Sequence, residues 1–417
     1  MRIIAAGLAL VALGTPLQAK TSADVAAAAL RAAPVWDGHN DVPEQLRARY
    51  QDVLGEFDFS DTRAAKPSAF GPGGMHTDLA RLRRGHVGAQ FWSVFVSANQ
   101  PEPQAVVQTL EQIDVLKRLV ARYPRDLQLA YSAADVERAM KAGRIASLIG
   151  VEGGHSIAGS LGVLRQLYAL GARYMTLSHY KTLAWVDSAD DVPTNHGLAP
   201  FGELVVREMN RLGMVVDLAH VNAEAMADAL DVARAPVIFS HSNARALDGD
   251  SRNVPDDILQ RLPANGGIVM VSAVTGFVSP ALFEWNAQRA GEQARQTFLW
   301  QGQPDQVTEA MKVWDAGHPQ PVATVAQMAD HIDHIRTVAG IDHVGIGGDY
   351  DGIPTGPQGM EDVAGYPALF TELARRGYSQ ADLEKISSRN MMRVLRGVEA
   401  YAAAHRADPP IEVPVAG

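Results

Sequence analysis

Eight short apolar runs alternate with helix-forming segments along the chain, and this alternation constrains the fold more than any other feature. The runs, typical of buried strands, are residues 35–39, 87–96, 144–151, 172–178, 214–218, 236–240, 267–273 and 343–348. Strands separated by helices of this length pair in parallel through right-handed crossovers. Eight such units predict a (β/α)8 TIM barrel of the α/β class, with a doubly wound open sheet as the alternative.

The segments between the strands fit within one barrel domain. Residues 44–85 are interpreted as a long βα-loop excursion, and residues 365–404 predict a helical C-terminal region. Residues 277–320 form a second insertion, for which three roles are considered: covering the pocket, packing on a partner subunit, or a plain surface helix pair. It contains three tryptophans, Trp285, Trp300 and Trp314. Because such barrels reach about 400 residues, residues 20–417 are expected to form a single domain.

The first nineteen residues have the pattern of a secretory signal peptide. Arg2 precedes an apolar stretch, residues 3–13, and the small residue Ala19 marks cleavage before Lys20. About ten apolar residues cannot span a bilayer. The mature protein is therefore expected to be exported, periplasmic or secreted, without a membrane anchor.

Composition excludes several classes of function. The chain has no cysteine, so any metal must be held by His, Asp and Glu, and disulfides are excluded. Its formal net charge is −10 and no basic run is present, which argues against nucleic acid as a partner.

Most of the predicted strands end in side chains that can bind metal. Catalytic residues of such barrels lie at the carboxyl ends of the strands. Six of the eight strand ends carry such groups: His39 and Asp41, Glu152, His179, His220, His241 and Asp349. Burying these groups without partners would cost several kcal/mol each, by a rough estimate, so a metal centre is expected.

Two metal ions that share one ligand would explain this set of groups. A pair of divalent cations about 3.5 to 4 Å apart needs a bridging ligand, and Glu152 offers two oxygens. We expect one ion to be held by His39, Asp41 and Glu152. The other is expected to be held by Glu152, His220 and His241. Water shared by both ions would supply a hydroxide nucleophile without Ser or Cys.

Other motifs in the chain are weaker. His331 and His334 have helical spacing but lack the Glu of His-Glu-x-x-His, and they are expected to face solvent. A glycine pattern at 345–348 begins like a dinucleotide loop, but Tyr350 occupies the position of the third glycine.

Seven motifs occur in one order along the chain. They are Asp-Gly-His-Asn-Asp (37–41), Val-Glu-Gly-Gly-His (151–155), Leu-Ser-His (177–179), Asp-Leu-Ala-His (217–220), Ser-His-Ser (240–242), Arg-Asn-Val-Pro-Asp-Asp (252–257) and Gly-Gly-Asp-Tyr-Asp-Gly (347–352). Together they resemble the membrane dipeptidase (renal dipeptidase) family, from about residue 34 to 400. The resemblance implies a di-zinc barrel of the amidohydrolase kind that hydrolyses free dipeptides.

The resemblance also implies a role for each site residue. The ligands of the two Zn²⁺ ions would be His39, Asp41, Glu152, His220 and His241, with Glu152 bridging the ions. His179 would contact the scissile carbonyl oxygen, and Arg252 would bind the carboxylate of the dipeptide, which suits a planar guanidinium. Asp349 would take the proton of the attacking water and deliver it to the leaving amine; Asp351 is the less favoured candidate.

Substrate range and assembly follow from the resemblance only in outline. It implies tolerance of a C-terminal D-residue, in some members hydrolysis of β-lactam-like amides, and a homodimer. Mammalian members have disulfides and a glycolipid tail signal, whereas this chain ends in Val-Pro-Val-Ala-Gly without an apolar tail.

Two other functions are considered. One is a different metal-dependent amide or lactone hydrolase of the amidohydrolase superfamily, whose substrates would lack the carboxylate that Arg252 binds. The other is an exported binding protein with a structural metal, although closed four-ligand sites are more typical of that role.

Overall fold

The computed structural model describes residues 20–68, 71 and 73–414, so the predicted signal peptide, residues 1–19, lies outside the described residues. Within them the chain forms nine strands: β1 (Val35–Asn40), β2 (Val87–Phe95), β3 (Leu127–Leu129), β4 (Ile145–Glu152), β5 (Ala172–Thr176), β6 (Val215–Asp217), β7 (Ile238–Phe239), β8 (Ile268–Val271) and β9 (Val344–Ile346).

Eight of these strands close into a parallel barrel. Their order around the ring is β2-β1-β9-β8-β7-β6-β5-β4, and β4 pairs with β2 to complete it. The closing pair is the longest, running from Ala89 opposite Ala146 to Phe95 opposite Glu152. The predicted (β/α)8 barrel is therefore confirmed. An open sheet is excluded because the pairing of β2 with β4 closes the ring.

The short strand β3 was not predicted. It pairs with the first half of β4, Leu127 opposite Ile145, whereas β5 pairs with the second half from Ile149 onward. Without β3, the first half of β4 would have unpaired backbone N–H and C=O groups on the side that faces β5. A strand of three residues gives too little apolar alternation to be recognised in the sequence.

The helices lie between the strands as the alternation predicts, and residues 365–404 are helical as expected. The α-helices are α1 (Ser22–Ala32), α2 (Val42–Tyr50), α3 (Leu79–Arg84), α4 (Glu102–Arg122), α5 (Ala133–Lys141), α6 (Leu161–Leu170), α7 (Pro200–Leu212), α8 (Ala223–Val232), α9 (Asp256–Leu259), α10 (Leu262–Asn265), α11 (Thr275–Val278), α12 (Pro280–Leu299), α13 (Pro304–Gly317), α14 (Val325–Ala339), α15 (Tyr366–Arg375), α16 (Gln380–Glu384) and α17 (Asn390–Ala404).

Local sequence sets the helix ends. Thr21 and Asp24 form a capping box at the start of α1, each satisfying a backbone N–H of the other. The Ser160 hydroxyl caps α6, which ends at Gly171 in the left-handed conformation that glycine adopts without strain.

Two glycines leave room for neighbouring groups that pack inside the barrel. A Cβ on Gly38 would lie 2.5 Å from the Met270 sulfur and 2.6 Å from the Ser240 carbonyl oxygen. A Cβ on Gly150 would lie 2.1 Å from the Tyr174 ring. Neither position accepts a larger residue, because interiors are close-packed.

The second insertion is a helix pair, α12 and α13, on the surface. Trp285 and Trp314 pack with ring centroids 5.7 Å apart, and the Trp285 indole N–H donates to the His318 carbonyl at 2.8 Å. Trp300 is 39% exposed and Phe298, beside it, is 74% exposed. No tryptophan of the insertion lines the barrel mouth; only Phe277, at its start, does so.

His331 is buried, so the expectation that it faces solvent was wrong. Its Nδ1 accepts the backbone N–H of Ala244 at 3.1 Å, so its Nε2 carries the proton and donates to the Val278 carbonyl, also at 3.1 Å. The side chain joins α14 to two loops, which the helical pattern alone does not reveal. His334 is partly buried and pairs with Asp256 at 2.7 Å.

Across the described part of the chain, no helix has both the length and the apolar character needed to cross a membrane.

Candidate metal centre

The carboxyl ends of the barrel strands bring the predicted residues together around one cavity of about 400 Å³. His39 lies in β1, fully buried beneath the cavity, and Glu152 is the last residue of β4. The other predicted residues follow β1, β5, β6, β7 and β9 and line the cavity: Asp41, His179, His220, His241, Arg252 and Asp349. The ends of these strands therefore meet at one cavity.

The first predicted ligand group fits a metal ion closely. His39 Nε2 lies 3.4 Å from Asp41 Oδ2 and 3.4 Å from Glu152 Oε2. Ligand atoms about 2.0–2.2 Å from a tetrahedral ion lie roughly 3.3–3.6 Å from one another. His39 Nε2 and Asp41 Oδ2 are buried without any hydrogen-bond partner. Such atoms are costly unless a cation satisfies them.

The second predicted group converges on the other oxygen of the same glutamate. Glu152 Oε1 lies 2.9 Å from His220 Nε2 and 3.6 Å from His241 Nε2. The two imidazole nitrogens are themselves 2.9 Å apart. Glu152 thus presents one carboxylate oxygen to each group, which is the arrangement that a bridging ligand requires.

Asp349 belongs to a third combination that sequence reasoning did not identify. Its carboxylate, with His39 and His241, forms another set of donor atoms within 4.8 Å of one another. Asp349 Oδ1 is 3.9 Å from His39 Nε2. Asp351, by contrast, accepts the backbone N–H of His76 at 2.7 Å and does not line the cavity. The geometry therefore favours Asp349 over Asp351 as the acid beside the reacting atoms.

A chain of hydrogen bonds determines which ring nitrogen of His241 is protonated. Ser240 Oγ donates to Asp217 Oδ2 at 2.6 Å, so it must accept from Nδ1–H of His241, 2.8 Å away. Nε2 of His241 is left unprotonated and available to a metal. Asp217 and Ser240 belong to the motifs described above, but no pattern in the sequence indicates this role.

His39 and Glu152 are held in similar ways. The Tyr174 hydroxyl lies 2.9 Å from His39 Nδ1, in the space left by Gly150. Ser93 Oγ donates to Glu152 Oε2 at 2.8 Å. These contacts fix the side-chain orientation of both predicted ligands.

The backbone is strained at two of the site residues. His220 has φ = 68° and Asp349 has φ = 59°, both in the left-handed region that non-glycine residues rarely adopt. Such conformations persist only where the surrounding structure holds them, and they are concentrated at functional sites.

Burial favours the neutral form of three site histidines, His179, His220 and His241. It lowers the pKa values of His220 and His241 well below their ordinary range, with Arg252 lowering the first and His39 the second. Burial likewise lowers the pKa of His179 to about 3, although Glu152 opposes this change. A neutral imidazole can bind a metal or donate a hydrogen bond to a carbonyl oxygen.

The acid Asp349 shows the opposite shift. Burial raises the pKa of its carboxyl well above the ordinary value; His39 opposes the rise and Asp41 adds to it. A carboxyl group that readily takes up a proton suits general acid and base chemistry.

Arg252 places a cation without a carboxylate partner in the cavity wall. The side chain is 5% exposed, its Nε has no hydrogen-bond partner, and no ion pair with an acid forms within the described chain. The guanidinium lies 5.2 Å from the centre of the Phe277 ring, and one of its terminal nitrogens is 3.1 Å from His241 Nε2. A buried guanidinium without an acid is suited to binding an anionic ligand.

A further cavity residue was missed. Glu44 lines the same cavity from the first turn of α2, three residues after Asp41. Residues three apart on a helix lie on one face, and this spacing was a signal in the sequence that could have identified it.

Comparison with known proteins supports the resemblance found in the sequence. The family profile described as Membrane dipeptidase (Peptidase family M19) matches residues 23–409. Dipeptidase 3 of Macaca fascicularis is 41% identical over 393 residues, which cover 93% of this chain and 70% of that protein. An uncharacterized dipeptidase of Schizosaccharomyces pombe is 40% identical over 393 residues, covering 91% of this chain and 84% of the relative.

Solved structures share the fold. The probable dipeptidase PvdM from Pseudomonas aeruginosa superposes with a TM-score of 0.77 at 24% identity, covering 91% of this chain and 99% of that one. A metallopeptidase from Rhodobacter sphaeroides, liganded with a phosphinate mimic of the dipeptide L-Ala-D-Ala, gives 0.69 at 23% identity, covering 88% and 99%.

Proposed function

Because the chain belongs to the membrane dipeptidase family, peptidase family M19, and is a dipeptidase of that metallopeptidase family, we propose that it uses two zinc ions. The observation that carries this proposal is the orientation of Glu152. Its two oxygens face two separate groups of donor atoms, the first with His39 and the second with His220. His39 and Asp41 would hold one ion, His220 and His241 the other, and Glu152 both.

The ions supply chemistry that the side chains lack. When bound, they would activate water as a nucleophile at neutral pH and would polarise the scissile carbonyl. The cavity has no Ser or Thr among its lining residues, and the chain has no Cys, so a side-chain nucleophile of that kind is not at hand in the described cavity.

The protein side chains bind, orient and transfer protons. His179, neutral at the cavity wall, donates a hydrogen bond to the scissile carbonyl oxygen as negative charge develops there. Asp349 takes the proton of the attacking water and delivers it to the leaving nitrogen. Arg252 binds the C-terminal carboxylate of the substrate through its planar fork of donors.

We extend the proposal to dipeptides with a C-terminal D-residue. The Rhodobacter sphaeroides metallopeptidase of the same fold was solved with a mimic of L-Ala-D-Ala. A lactone or other neutral substrate would leave the buried guanidinium of Arg252 without a partner, so a free dipeptide fits this cavity better.

We also propose that the mature chain is exported and that it forms a homodimer. The proposal of export is supported by Arg2 and the apolar residues 3–13. The homodimer is supported only by the family.

Metal removal tests the proposal directly. The mature chain should contain two zinc ions per protomer and should hydrolyse L,L and L,D dipeptides. A strong chelator should abolish hydrolysis, because no Ser, Thr or Cys lines the described cavity to take over as nucleophile, and added Zn²⁺ should restore it. The measurements are zinc by elemental analysis and amine release by a ninhydrin assay.

Two results would contradict this assignment. Turnover that survives complete removal of metal would exclude a metal mechanism. A full metal content with no hydrolysis of any dipeptide would favour an exported binding protein.

Replacing Arg252 tests the carboxylate site. Arg252→Ala should raise KM for free dipeptides by about 10- to 100-fold, because a charge-assisted hydrogen bond is worth roughly 1.5–3 kcal/mol. The preference for free dipeptides over C-terminal amides should fall by the same factor. Steady-state kinetics on matched pairs of substrates would measure both.

The matched control is Arg261→Ala. Arg261 pairs with Asp231 on the outside of the barrel and does not line the cavity, so its loss should leave KM unchanged. If Arg252→Ala impaired free and amidated dipeptides equally, Arg252 would not be the carboxylate anchor.

A further inference from the structure

Glu44 is the cavity acid for which the proposed mechanism has no use. Among the described residues, four carboxylates line the cavity: Asp41, Glu44, Glu152 and Asp349. Two are proposed as metal ligands and one as the proton carrier. Glu44 remains, on the first turn of α2, without a hydrogen bond or ion pair in the described chain.

A capping box at the helix start does not account for Glu44. It occupies the third helical position after Asp41, where an acid can close a capping box by accepting the backbone N–H of the cap residue. Asp24 does so at the start of α1. In α2, however, the N–H of Asp41 donates to the Tyr350 carbonyl at 3.0 Å, so that partner is already taken.

Glu44 and Arg252 lie on different sides of the cavity. Glu44 follows β1 and Arg252 follows β7, and these strands are three places apart around the ring of eight. Four of the proposed metal ligands, Asp41, Glu152, His220 and His241, line the same cavity. The cavity therefore has a guanidinium on one wall and, on another, the carboxyl group of Glu44, which has no counter-ion in the described chain. Burial, together with the nearby Asp41, raises the pKa of this carboxyl group well above its ordinary value, so a cation bound beside it would stabilise its charged form.

A free dipeptide carries the complementary pair of charges. Its carboxylate is at one end, its α-ammonium at the other, and the scissile bond lies between them. On the basis of the function proposed above, we propose that Glu44 binds the α-ammonium group of the substrate and so selects free dipeptides over N-blocked ones. The carboxylate would accept a charge-assisted hydrogen bond from the substrate nitrogen while Arg252 holds the other end.

The test compares substrates that differ only in the amino group. Glu44→Gln keeps the size of the side chain and removes its charge. The readout is kcat/KM for Ala-Ala divided by kcat/KM for propionyl-alanine, which is the same molecule without the α-amino group. We expect this ratio to fall by about 10- to 100-fold in Glu44→Gln, since a hydrogen bond between charged groups is lost. Glu44→Asp, which keeps the charge, should retain part of the preference.

The matched control is Glu111→Gln, the same change at a surface glutamate that pairs with Arg47 outside the cavity. It should leave the ratio unchanged. Zinc content and thermal unfolding of each variant show that the fold and the metal centre are intact.

The outcomes separate this inference from the proposed function. If the wild-type protein hydrolyses no dipeptide, the proposed function fails. If it does and Glu44→Gln keeps the wild-type ratio, only the ammonium site is excluded. A fall confined to dipeptides that begin with Lys or Arg would also overturn the inference, because Glu44 would then bind a side chain.

Discussion

Asp349→Asn is expected to lower kcat by about 10²- to 10⁴-fold while the protein still binds two zinc ions. The amide is nearly isosteric but can neither take up the water proton nor deliver it to the leaving amine, and general acid and base catalysis contributes a factor of this size. The carboxyl group of Asp349 is well placed for both steps, because it lines the cavity and lies 3.9 Å from a proposed metal ligand, His39. Steady-state kinetics and zinc analysis on one preparation would measure both quantities.

Asp351→Asn is the matched control for this variant. Asp351 is two residues away, is buried, and accepts the backbone N–H of His76, a bond that the asparagine oxygen can keep. We expect near-normal turnover from it. Near-normal turnover by Asp349→Asn would instead remove Asp349 from the mechanism. A loss of metal in that variant would show that Asp349 acts as a ligand, as its proximity to His39 and His241 allows.

Glu152→Gln is expected to abolish activity by removing the proposed bridge between two metal ions. An amide has one oxygen, which can serve only one ion, so we expect at most one zinc per protomer. The fall in kcat/KM should be on the order of 10³-fold or more, because the shared nucleophile is lost. Zinc analysis, supported by thermal unfolding with and without added Zn²⁺, would measure the effect on metal binding.

Ser93→Ala provides the graded comparison. It removes only the hydrogen bond donated to Glu152 Oε2 at 2.8 Å and leaves the carboxylate in place. Loss of such a supporting contact usually costs about 10- to 100-fold in metal affinity or activity, so Ser93→Ala should fall between the wild type and Glu152→Gln. If Glu152→Gln retained two ions and normal turnover, the proposed bridge would be wrong.

The features missing from the sequence prediction share a physical origin. Strand β3 forms because the first half of β4 has no other partner on that side. His331 is buried because α14 packs against loops that are distant in the chain. Glu44 forms no capping box because the backbone N–H of Asp41 donates its hydrogen bond to the Tyr350 carbonyl instead. Each is decided by contacts between residues far apart in sequence, which periodicity and motif spacing do not report.

The sequence by itself determined the barrel and which residues meet at the candidate metal centre. Eight strand-like runs separated by helices require parallel strands, and the carboxyl ends of parallel strands in a closed barrel must meet at one mouth. His39, Glu152 and His220, each at or just after such an end, therefore had to converge.

Only the tertiary structure decided how these groups face one another. The two oxygens of Glu152 point to different partners, and Ser240 fixes the tautomer of His241 by donating its own proton to Asp217. Orientations of this kind depend on side chains from several strands packing in one interior, where a displacement of about 1 Å makes or breaks a hydrogen bond. The residue types were therefore readable from the chain, whereas their orientations required the folded barrel.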